Sequence, residues 1–312
     1  MNADRPLPYS VVIPTKDRPR EVVEALGRVL QQTRVSARTV VVDASSPPWR
    51  PDETLEARFA DAGVELVVLH AQPSTAGQRN RGVDLVETPV TLFLDDDVEI
   101  GADYAAGLLA RWDEHGVDAL GGVAGSRVGY TQRRRQWLAR KLFMLHLHET
   151  GGEATTIRRS GKLRYVDRPA RDVFVPAVGA GAISFRTELV QSLRFDERFG
   201  GYALGEDLDL ARRVSATAPI LQAYDVLYRD LAAPGGRSSP ERWYYRGRRE
   251  TYFRLRHSDG SRGFALAFAL SLAGELLAAT LDGIRTHDPR HPARFVRGVA
   301  QTLRERRRGS AG

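Results

Sequence analysis

Short apolar segments alternate with helical segments along the first hundred residues, and this alternation constrains the fold more than any other feature. The pattern predicts strands at Tyr9–Ile13, Thr39–Val42, Val64–Leu69 and Val90–Leu94. Amphipathic spacing predicts intervening helices at Val22–Gln32, Leu55–Ala62 and Gly77–Val86. Strands that alternate with helices form right-handed βαβ units, and continuously apolar strands suit a sheet covered on both faces. The sequence therefore predicts an α/β fold with a mixed, mostly parallel central sheet.

Three consecutive aspartates, Asp95, Asp96 and Asp97, follow the predicted fourth strand. In open α/β sheets, ligands bind at the carboxyl ends of the strands. Adjacent carboxylates repel one another and are costly to desolvate unless a cation lies among them. Hard ions such as Mg²⁺ and Mn²⁺ take oxygen ligands and bridge substrate phosphates. The triplet therefore predicts a metal and phosphate site, with a solvated acidic turn as the alternative.

Two further segments carry polar side chains where predicted strands end or helices begin. Asp43 ends the second strand, where a carboxylate can accept a hydrogen bond from a base or ribose; a cap or loop role is the alternative. Thr75–Gly82 opens a helix whose small residues and free N–H groups favour an anion, and Arg79 or Arg81 can add charge for a diphosphate. The sequence contains no GxGxxG or Walker A motif, which disfavours the standard dinucleotide and P-loop sites.

A second acidic cluster, Gly205–Leu210, begins another predicted helix. Glu206 and Asp207 fall in its first turn, where the helix dipole favours carboxylates without any catalytic role. The functional alternative makes Asp207 a general base that the dipole keeps ionised, facing a pocket shaped by Phe199–Tyr202.

The middle of the chain departs from the alternating pattern. A helix is predicted at Ala102–Glu114 and a strand at Val117–Leu120, but residues 126–172 are rich in Arg and Gly. This composition predicts an insertion or a mobile segment that covers the substrate. Strands resume at Val173–Pro176 and Ile183–Phe185. We expect a main domain at 1–255, with the insertion at 126–172, and a C-terminal helical extension at 256–312.

Amino-acid composition limits the catalytic and metal-binding chemistry that the protein can use and indicates its cellular location and partners. The 312 residues include no cysteine, which excludes disulfides, thiolate metal sites and cysteine nucleophiles. No secretory signal pattern is evident, so a cytoplasmic location is expected. The net charge of +7 is concentrated at the end, where eight arginines between Arg285 and Arg308 face only Asp288 and Glu305. This basic end predicts an anionic surface as partner, with a solubilising tail as the alternative.

An apolar segment, Phe264–Leu281, precedes the basic end. It is at the short limit for a spanning helix and contains Glu275, which disfavours a transmembrane anchor. Two interpretations stay open. One is a helix packed on the catalytic domain. The other, slightly favoured, is an interfacial helix that holds the protein at the inner face of the cell membrane.

Taken together, these motifs resemble the family 2 glycosyltransferases with the GT-A fold. The resemblance covers roughly residues 9–255 and rests on the order and spacing of six segments: Ser10–Arg18, Val41–Asp43, Ala76–Gly82, Leu94–Asp97, Gly179–Arg186 and Gly205–Asp207. It implies an inverting, metal-assisted transfer of a sugar from a nucleotide-diphosphate sugar to an acceptor hydroxyl. The donor base and sugar stay open, as does an acceptor that is a glycan, a lipid-linked sugar or a small molecule. Nucleic acid is not expected as a partner.

The resemblance also implies roles for individual residues. The donor site would comprise Pro14, Thr15, Asp17, Asp43, Arg79, Asn80, Asp95 and Asp96. Asp97 would ligate Mg²⁺ or Mn²⁺, and Asp207 would deprotonate the acceptor. The acceptor or sugar pocket would be lined by Gly179, Ala180, Gly181 and Glu206. Many relatives complete the metal site with a late histidine, which Tyr228–Leu231 lacks. Asp230 is therefore expected to substitute, or Arg229 to stabilise the diphosphate directly.

Three other classes fit the sequence less well. An aspartyl-nucleophile phosphatase needs Asp-x-Asp-x-Thr or Val, usually on the first strand, whereas here Glu99 occupies the last position of that pattern on the fourth strand. A nucleotidyltransferase needs a Gly-rich, Lys-bearing loop after strand one, which Val12–Asp17 does not supply. A non-catalytic protein of the same fold, binding a nucleotide-sugar or an anionic surface, stays the alternative, disfavoured by the carboxylates at positions 95, 97 and 207.

Overall fold

The structure is a computed structural model that describes residues 6–129, 134–150, 152–179, 181–199, 205–231 and 241–309. The chain divides into two compact units. The first unit comprises Met1–Tyr130, Thr150–Ala154 and Val166–Ala233. The second unit comprises Thr131–Glu149, Thr155–Tyr165 and Pro234–Gly312. The functional domain boundary at residue 255 stays a prediction.

Twelve strands and ten α-helices are present in the described residues. The strands are β1 Tyr9–Thr15, β2 Arg38–Asp43, β3 Glu65–His70, β4 Val90–Leu94, β5 Val98–Ile100, β6 Gly122–Val128, β7 Leu147–Thr150, β8 Thr156–Ile157, β9 Leu163–Arg168, β10 Val173–Val175, β11 Ala182–Arg186 and β12 Ile220–Asp230. The helices are α1 Pro19–Leu30, α2 Glu53–Asp61, α3 Thr75–Val83, α4 Tyr104–His115, α5 Arg134–Leu142, α6 Thr187–Leu193, α7 Glu206–Ser215, α8 Arg242–Arg256, α9 Arg262–Thr286 and α10 His291–Gly309. A short 3₁₀ helix spans Glu197–Phe199.

Local sequence signals set where several helices begin. Pro19 opens α1, where its missing N–H has no partner to lose. Asp52 and Ser74 cap α2 and α3, each accepting a hydrogen bond from the backbone N–H three residues later. Ser261 caps α9 in the same way, accepting from the N–H of Phe264. These caps fix the entry of the chain into each helix.

The central sheet has nine strands in the order β10-β12-β6-β11-β4-β1-β2-β3, with β5 also paired to β12. Strands β4, β1, β2 and β3 pair in parallel, as do β6 and β12. Strand β11 is antiparallel to both β4 and β6, and β10 and β5 are antiparallel to β12. The sheet is therefore mixed, which confirms the α/β class. A second sheet has the order β7-β9-β8.

Strand β1 shows why the central sheet is covered on both faces. All seven of its residues are buried. Val11 and Ile13 pack with Val22 and other residues of α1 in one core cluster. The intervening Val12 faces α3, where a Cβ on Gly82 would collide with the Val12 side chain. Helices on opposite faces therefore explain why the middle of this strand, Val11–Ile13, is continuously apolar.

One predicted strand is misplaced. Residues 117–119 form a turn, Leu120 lies outside any strand, and the strand begins later, at Gly122. The neighbours of β6 explain its glycines, because a Cβ at Gly122 would press on Phe185 of β11 and one at Gly125 would press on Tyr104 of α4. The apolar residues that predicted a strand at 117–120 therefore precede β6. The strand itself contains small residues because its neighbours pack closely against it.

The second unit is built around a buried cluster of charges. Lys162 forms ion pairs with Glu250 of α8 and with Glu275 of α9, the latter at 3.0 Å between Nζ and Oε1. Arg246 also reaches Glu275, at 2.8 Å. Burial, together with the nearby Lys162 ammonium, lowers the pKa of the adjacent His146 to about 3, so this imidazole is neutral. Two carboxylates thus hold together α8, α9 and the turn between β8 and β9.

The aromatic residues after position 240 pack within the same unit. Trp243 of α8 is buried against Phe295 of α10 and Ala279 of α9. Its indole N–H donates to Asp282 at 2.9 Å. Trp243 therefore belongs to a core of three C-terminal helices.

Candidate active site

The first four strands bring their carboxyl ends to one edge of the sheet. In the parallel register, Thr15 of β1 pairs with Asp43 of β2, and Asp43 pairs with His70 of β3. Strand β4 runs parallel to β1 and ends at Leu94, directly before the aspartate triplet. The residues predicted from three separate motifs therefore share one edge, which is where ligands bind in such sheets.

The buried carboxylate of Asp43 organises the loop after β2. It accepts hydrogen bonds from the backbone N–H of Ser45 at 3.0 Å and of Trp49 at 2.9 Å. The Ser45 hydroxyl also donates to it, and His70 Nδ1 lies 3.3 Å away. Asp43 thus shapes the loop at this edge, and its predicted contact with a nucleobase or ribose stays a prediction.

A cleft of about 520 Å³ lies beside strand β3. Its lining includes Trp49 and His70, the two residues that also contact Asp43. Leu66 and Val68 line it from the same face of β3 as His70, and Phe59 of α2 closes another side. This cleft is thus joined to the strand-end site through Asp43.

Asp17 joins the loop after β1 to the loop after β2. Its backbone has a positive φ of 54°, a conformation that aspartate tolerates better than most residues. Its N–H donates to the Ser45 hydroxyl at 2.7 Å, and its carboxylate accepts from the N–H of Ser46 at 3.1 Å. Pro14, paired with Val42 in the sheet, and Thr15 precede this turn, so the predicted donor residues 14–17 and 43 are contiguous.

Within the aspartate triplet, Asp96 points back to the first strand. It is buried and accepts a 2.8 Å hydrogen bond from the Thr15 hydroxyl and a 2.7 Å bond from Arg18. Burial raises the pKa of Asp96, although the Arg18 guanidinium opposes the rise. Arg18 also lies 3.3 Å from Asp97. One arginine therefore partly neutralises two of the three aspartates.

Asp95 is held by a different arginine. Arg79 of α3 is buried and donates to Asp95 at 2.6 Å and to Glu206 at 2.8 Å. The Arg79 guanidinium also lies over the ring of Phe195, 5.4 Å from its centroid. Burial alone would lower the pKa of Arg79, but the two carboxylates outweigh burial and raise it. Arg79 is thus engaged with protein carboxylates, whereas the resemblance had placed it near the nucleotide.

The two carboxylates on Arg79 differ from ordinary acids. Burial raises the pKa of Asp95 to about 7 in spite of Arg79, with a further contribution from Asp97. Burial raises the pKa of Glu206 to about 7 as well, aided by Asp207. Glu206 Oε2 is buried without a hydrogen-bond partner among the residues described. A proton shared within this group would relieve the excess of negative charge.

Asn80 and Gln78 fix backbone segments at the same helix. Asn80 donates to the carbonyl of Phe195 and to Glu197, both at 2.9 Å, and accepts from the N–H of Phe195 at 2.8 Å. Gln78 donates to the carbonyls of Thr15 at 2.8 Å and Val42 at 2.7 Å, at the ends of β1 and β2. The polar face of α3 therefore assembles the site from distant segments.

Asp207 lies in the first turn of α7, as the sequence predicts. Gly205 caps the helix with a φ of 106°, and Asp207 accepts a 2.7 Å hydrogen bond from the N–H of Leu208. A Cβ placed on Gly179 would lie 3.7 Å from Asp207 Oδ2. The carbonyl of Gly181 accepts from the N–H of Asp95 at 2.9 Å. Residues 179 and 181 thus lie beside Asp207 and Asp95, respectively.

Ala180 and residues 200–204, including most of the predicted glycine-rich run, lie outside the described residues.

Asp230 reaches the triplet through β12. It pairs with Val98 of β5, and the N–H of Leu231 donates to the carbonyl of Asp97 at 2.9 Å. Arg127 donates to the Asp230 carboxylate at 3.0 Å. The neighbouring Arg229 lies 3.4 Å from Glu99. The sheet thus brings the backbone at Asp230 next to that at Asp97, although a role for either residue at a metal stays a prediction.

The oxygen atoms available at this edge of the sheet are of the chemical type that binds a hard divalent cation. Asp97 and Asp230 supply carboxylate oxygens, the ligands that Mg²⁺ and Mn²⁺ prefer. Within the described part of the chain, no group of three or more His, Asp or Glu side chains is gathered as a preformed metal centre. Two carboxylates together with substrate phosphates are a common arrangement for Mg²⁺, which rarely uses an all-protein site.

The model of the family described as glycosyl transferase family 2 matches residues 10–174, a little over half of the chain. The chain belongs to glycosyl transferase family 2. This glycosyltransferase has no match among curated protein sequences.

Solved structures share the fold of this family 2 protein. The mannosyltransferase PcManGT from Pyrobaculum calidifontis, in complex with GDP-Man and Mn²⁺, is 14% identical with a TM-score of 0.53, over 96% of this chain and 88% of that one. GalNAc-T7 with UDP, GalNAc and Mn²⁺ is 13% identical with a TM-score of 0.53, over 91% and 59%. S. aureus TarS is 19% identical with a TM-score of 0.50, over 94% and 54%. These similarities confirm the predicted GT-A fold.

Several residues of the family 2 site were not singled out by the sequence alone. Arg18 and Gln78 stand inside quoted motifs, but nothing local indicates that they bind Asp96 and the strand ends. Phe195 and Glu197 lie outside every quoted motif. Their partners are 115 and 117 residues away, a separation that periodicity does not detect.

Proposed function

We propose that this glycosyltransferase moves a sugar from a nucleotide-diphosphate sugar to an acceptor hydroxyl with inversion, assisted by a divalent metal and with Asp207 as general base. The observation that carries the proposal is the bridge made by Arg79 between Asp95 and Glu206. It holds the acidic triplet next to the first turn of α7, where Asp207 lies. Donor chemistry and acceptor activation then fall in one site.

The donor would bind along the carboxyl ends of β1, β2 and β4. The printed ligands of two structural neighbours, GDP-Man and UDP with GalNAc, support a nucleotide-sugar class of donor. Thr15, Asp17 and Asp43 form a connected edge for the base and ribose. Asp95 and Asp96 are already engaged by Arg79 and Arg18, so both arginines would position carboxylates for the donor and soften their mutual repulsion.

Asp97 and Asp230 would hold the metal. Mn²⁺ in the PcManGT and GalNAc-T7 complexes supports a divalent ion of this class. When bound, such an ion neutralises charge on the leaving diphosphate. Arg18 and Arg127, which now contact Asp97 and Asp230, limit the repulsion between these carboxylates before the ligand arrives.

Asp207 would accept the proton of the acceptor hydroxyl. The acceptor oxygen attacks the anomeric carbon, and the bond from that carbon to the diphosphate oxygen breaks with its electron pair leaving on the diphosphate. The proton moves to the Asp207 carboxylate. A single displacement of this kind inverts the anomeric centre through an oxocarbenium-like transition state. Gly179 keeps the space beside Asp207 free of a side chain.

The experiment that tests the proposal is a donor screen with the purified protein. Hydrolysis and transfer would be measured over UDP-, GDP- and dTDP-sugars, with and without Mn²⁺, using glycan, lipid-linked and small-molecule acceptors. We expect metal-dependent turnover of one donor class and a product of inverted configuration. Donor binding without any turnover across the screen would favour the non-catalytic alternative. A product of retained configuration would overturn the role of Asp207.

The acceptor and the place where the enzyme works are separate parts of the proposal. A glycan, a lipid-linked sugar and a small molecule are each compatible with a base beside a glycine-lined space. A cytoplasmic enzyme at the inner face of the cell membrane stays a prediction, and fractionation of cells that express the tagged protein would test it.

A further inference from the structure

The exposed apolar side chains of the protein are concentrated in the second unit. Fourteen large hydrophobic side chains are exposed in the described residues, and nine of them belong to α5, α9 and α10. Five of the nine lie on α9, at Leu266, Leu270, Leu277, Leu281 and Ile284. Scattered exposed hydrophobic residues are ordinary, but a concentration on neighbouring helices of one unit marks an interaction surface.

The five α9 side chains form a continuous stripe. Their spacings of four, seven, four and three residues place them on one side of an α-helix. Leu266 and Ile284, at the two ends, are 74% and 70% exposed. At 1.5 Å per residue the stripe is about 27 Å long. We call it the α9 stripe.

The opposite side of α9 carries the polar groups. Between Arg262 and Arg285 the only charged residues of the helix are Glu275 and Asp282. Glu275 is fully buried in the cluster with Lys162 and Arg246, and Asp282 binds Trp243 and Arg242. The α9 stripe is therefore apolar along its length, with an arginine at each end.

Charge is divided unequally between the two units. The second unit contains 25 Lys and Arg residues against 8 Asp and Glu, whereas the first contains 21 against 31. The excess positive charge thus belongs to the unit that carries the α9 stripe. Arg262, Arg285 and Arg307 are exposed on the helices of this unit.

We propose that the second unit docks on an anionic membrane surface, with the α9 stripe inserted among the lipid acyl chains and exposed arginines at the phosphate headgroups. An interfacial helix binds through buried apolar area together with attraction to anionic lipid, and this unit supplies both. Arginines at the ends of the stripe can extend to the headgroups while their stems stay in the apolar layer.

A surface position accounts for α9 better than a spanning one. The helix has 25 residues and is long and apolar enough to cross a membrane. In a spanning helix, however, Glu275 would lie near the middle of the hydrocarbon and would have to leave Lys162 and Arg246 or carry them along. On the surface, the buried cluster stays intact and only the α9 stripe enters the lipid.

The test is flotation of the full-length protein with vesicles of phosphatidylcholine alone or of phosphatidylcholine with phosphatidylglycerol, at low and high salt. We expect binding only to the anionic vesicles and weakening by salt. The variant Leu277→Glu/Leu281→Glu should partition at least about tenfold less, because two apolar side chains leave the lipid. The matched control is Val23→Glu/Val35→Glu, which adds the same charge at comparably exposed positions of the first unit and should bind like wild type.

A second variant, Arg262→Glu/Arg307→Glu, should lose the preference for anionic lipid while leaving the α9 stripe unchanged. Donor hydrolysis in solution would be measured for every variant and should be unaffected, since none of these residues lies in the active site. Failure of the wild type to float with anionic vesicles at low salt would overturn the proposal.

Two other outcomes would also overturn it. Vesicle binding that survives both high salt and alkaline carbonate would indicate a spanning helix. A dimer in light scattering that dissociates in Leu277→Glu/Leu281→Glu, with no vesicle binding by the wild type, would assign the α9 stripe to a second copy of the chain.

Discussion

Arg79 donates a 2.8 Å hydrogen bond to Glu206, a residue 127 positions further along the chain. Both side chains are buried, and the same guanidinium binds Asp95. A buried arginine between two carboxylates is retained only if each charge has its partner, because an unpaired buried charge is strongly destabilising. This contact therefore connects the stability of the protein to the arrangement of its candidate active site.

Replacing Arg79 should destabilise the first unit. We expect Arg79→Met to lower the free energy of unfolding by about 3–5 kcal/mol, because Asp95 and Glu206 would be left without their cation. Urea unfolding would measure the change. Arg79→Met/Glu206→Gln should recover part of the loss, since it removes one of the stranded charges. Equal destabilisation in the single and double variants would show that packing against Phe195, not charge, is what Arg79 provides.

Stability should fall as pH rises towards neutrality. The folded-state pKa of Glu206 and of Asp95 is about 7, above their ordinary values of 4.5 and 3.8, so the folded protein binds more protons than the unfolded chain between about pH 4 and pH 7. Their stabilising contribution is full below that window and is lost as pH rises through 7. Unfolding free energies measured from pH 5 to pH 8 should decline for the wild type. Glu206→Gln should flatten the decline, and an unchanged slope would contradict the raised pKa of Glu206.

The proposed dependence on a divalent metal can be tested at the Asp97 carboxylate. We expect Asp97→Ala to lower kcat by at least about a hundredfold with an unchanged circular dichroism spectrum, because a ligand next to the diphosphate is lost. EDTA should inactivate the wild type, and added Mn²⁺ should restore it. Asp61→Ala, at an exposed position at the end of α2, is the matched control and should stay fully active. Full activity of both Asp97→Ala and the EDTA-treated enzyme would remove the metal from the mechanism.

Asp207→Asn keeps the shape of the side chain and removes its ability to accept a proton. Transfer should fall by about 10²–10⁴-fold while the affinity for the donor stays unchanged. Isothermal titration with the nucleotide-sugar and single-turnover kinetics would separate the two effects. A collapse of donor affinity with turnover retained would place Asp207 in the donor site, and Glu206 would become the next candidate for the base.

Replacing Lys162 should destabilise the second unit far more than breaking an ion pair near its surface. Lys162→Met removes the ammonium partner of Glu250 and leaves Glu275 with Arg246 alone, and we expect a loss of about 3–5 kcal/mol in unfolding free energy. Arg164→Met, which breaks a partly exposed pair with Glu149, should cost no more than about 1 kcal/mol. Hydrogen exchange in α8 and α9 would localise the effect, and similar losses in both variants would argue against a special role for the buried lysine.

Local sequence patterns were sufficient to predict much of the fold and part of the candidate site. The apolar segments at β1 to β4 and the triplet after β4 were visible because strand burial and strand-end position are properties of short sequences. The strand expected at 117–120 was wrong, because the small residues of β6 are selected by Phe185 and Tyr104, which lie elsewhere in the chain. The bonds of Arg79 and Asn80 were not predictable for the same reason.

The ion-pair partners of the arginines at the basic end were likewise not predictable from the sequence. The sequence reveals the arginines after residue 285 but not their partners. In the structure Arg290 and Arg294 bind Asp288, and Arg297 binds Glu241. These paired arginines lie at or near α10, a helix that packs on α8 and α9. Part of the basic end is therefore helical rather than a free tail.

Asn80 binds the backbone N–H and carbonyl of Phe195 and the side chain of Glu197 through three hydrogen bonds, and its neighbour Arg79 binds Glu206. A chimera that exchanges the segment after Gly179 for that of a relative would therefore inherit a foreign docking surface for α3. Such grafts should succeed only when residues 79 and 80 are transferred with the segment, so that specificity in this enzyme would be exchanged as a discontinuous module.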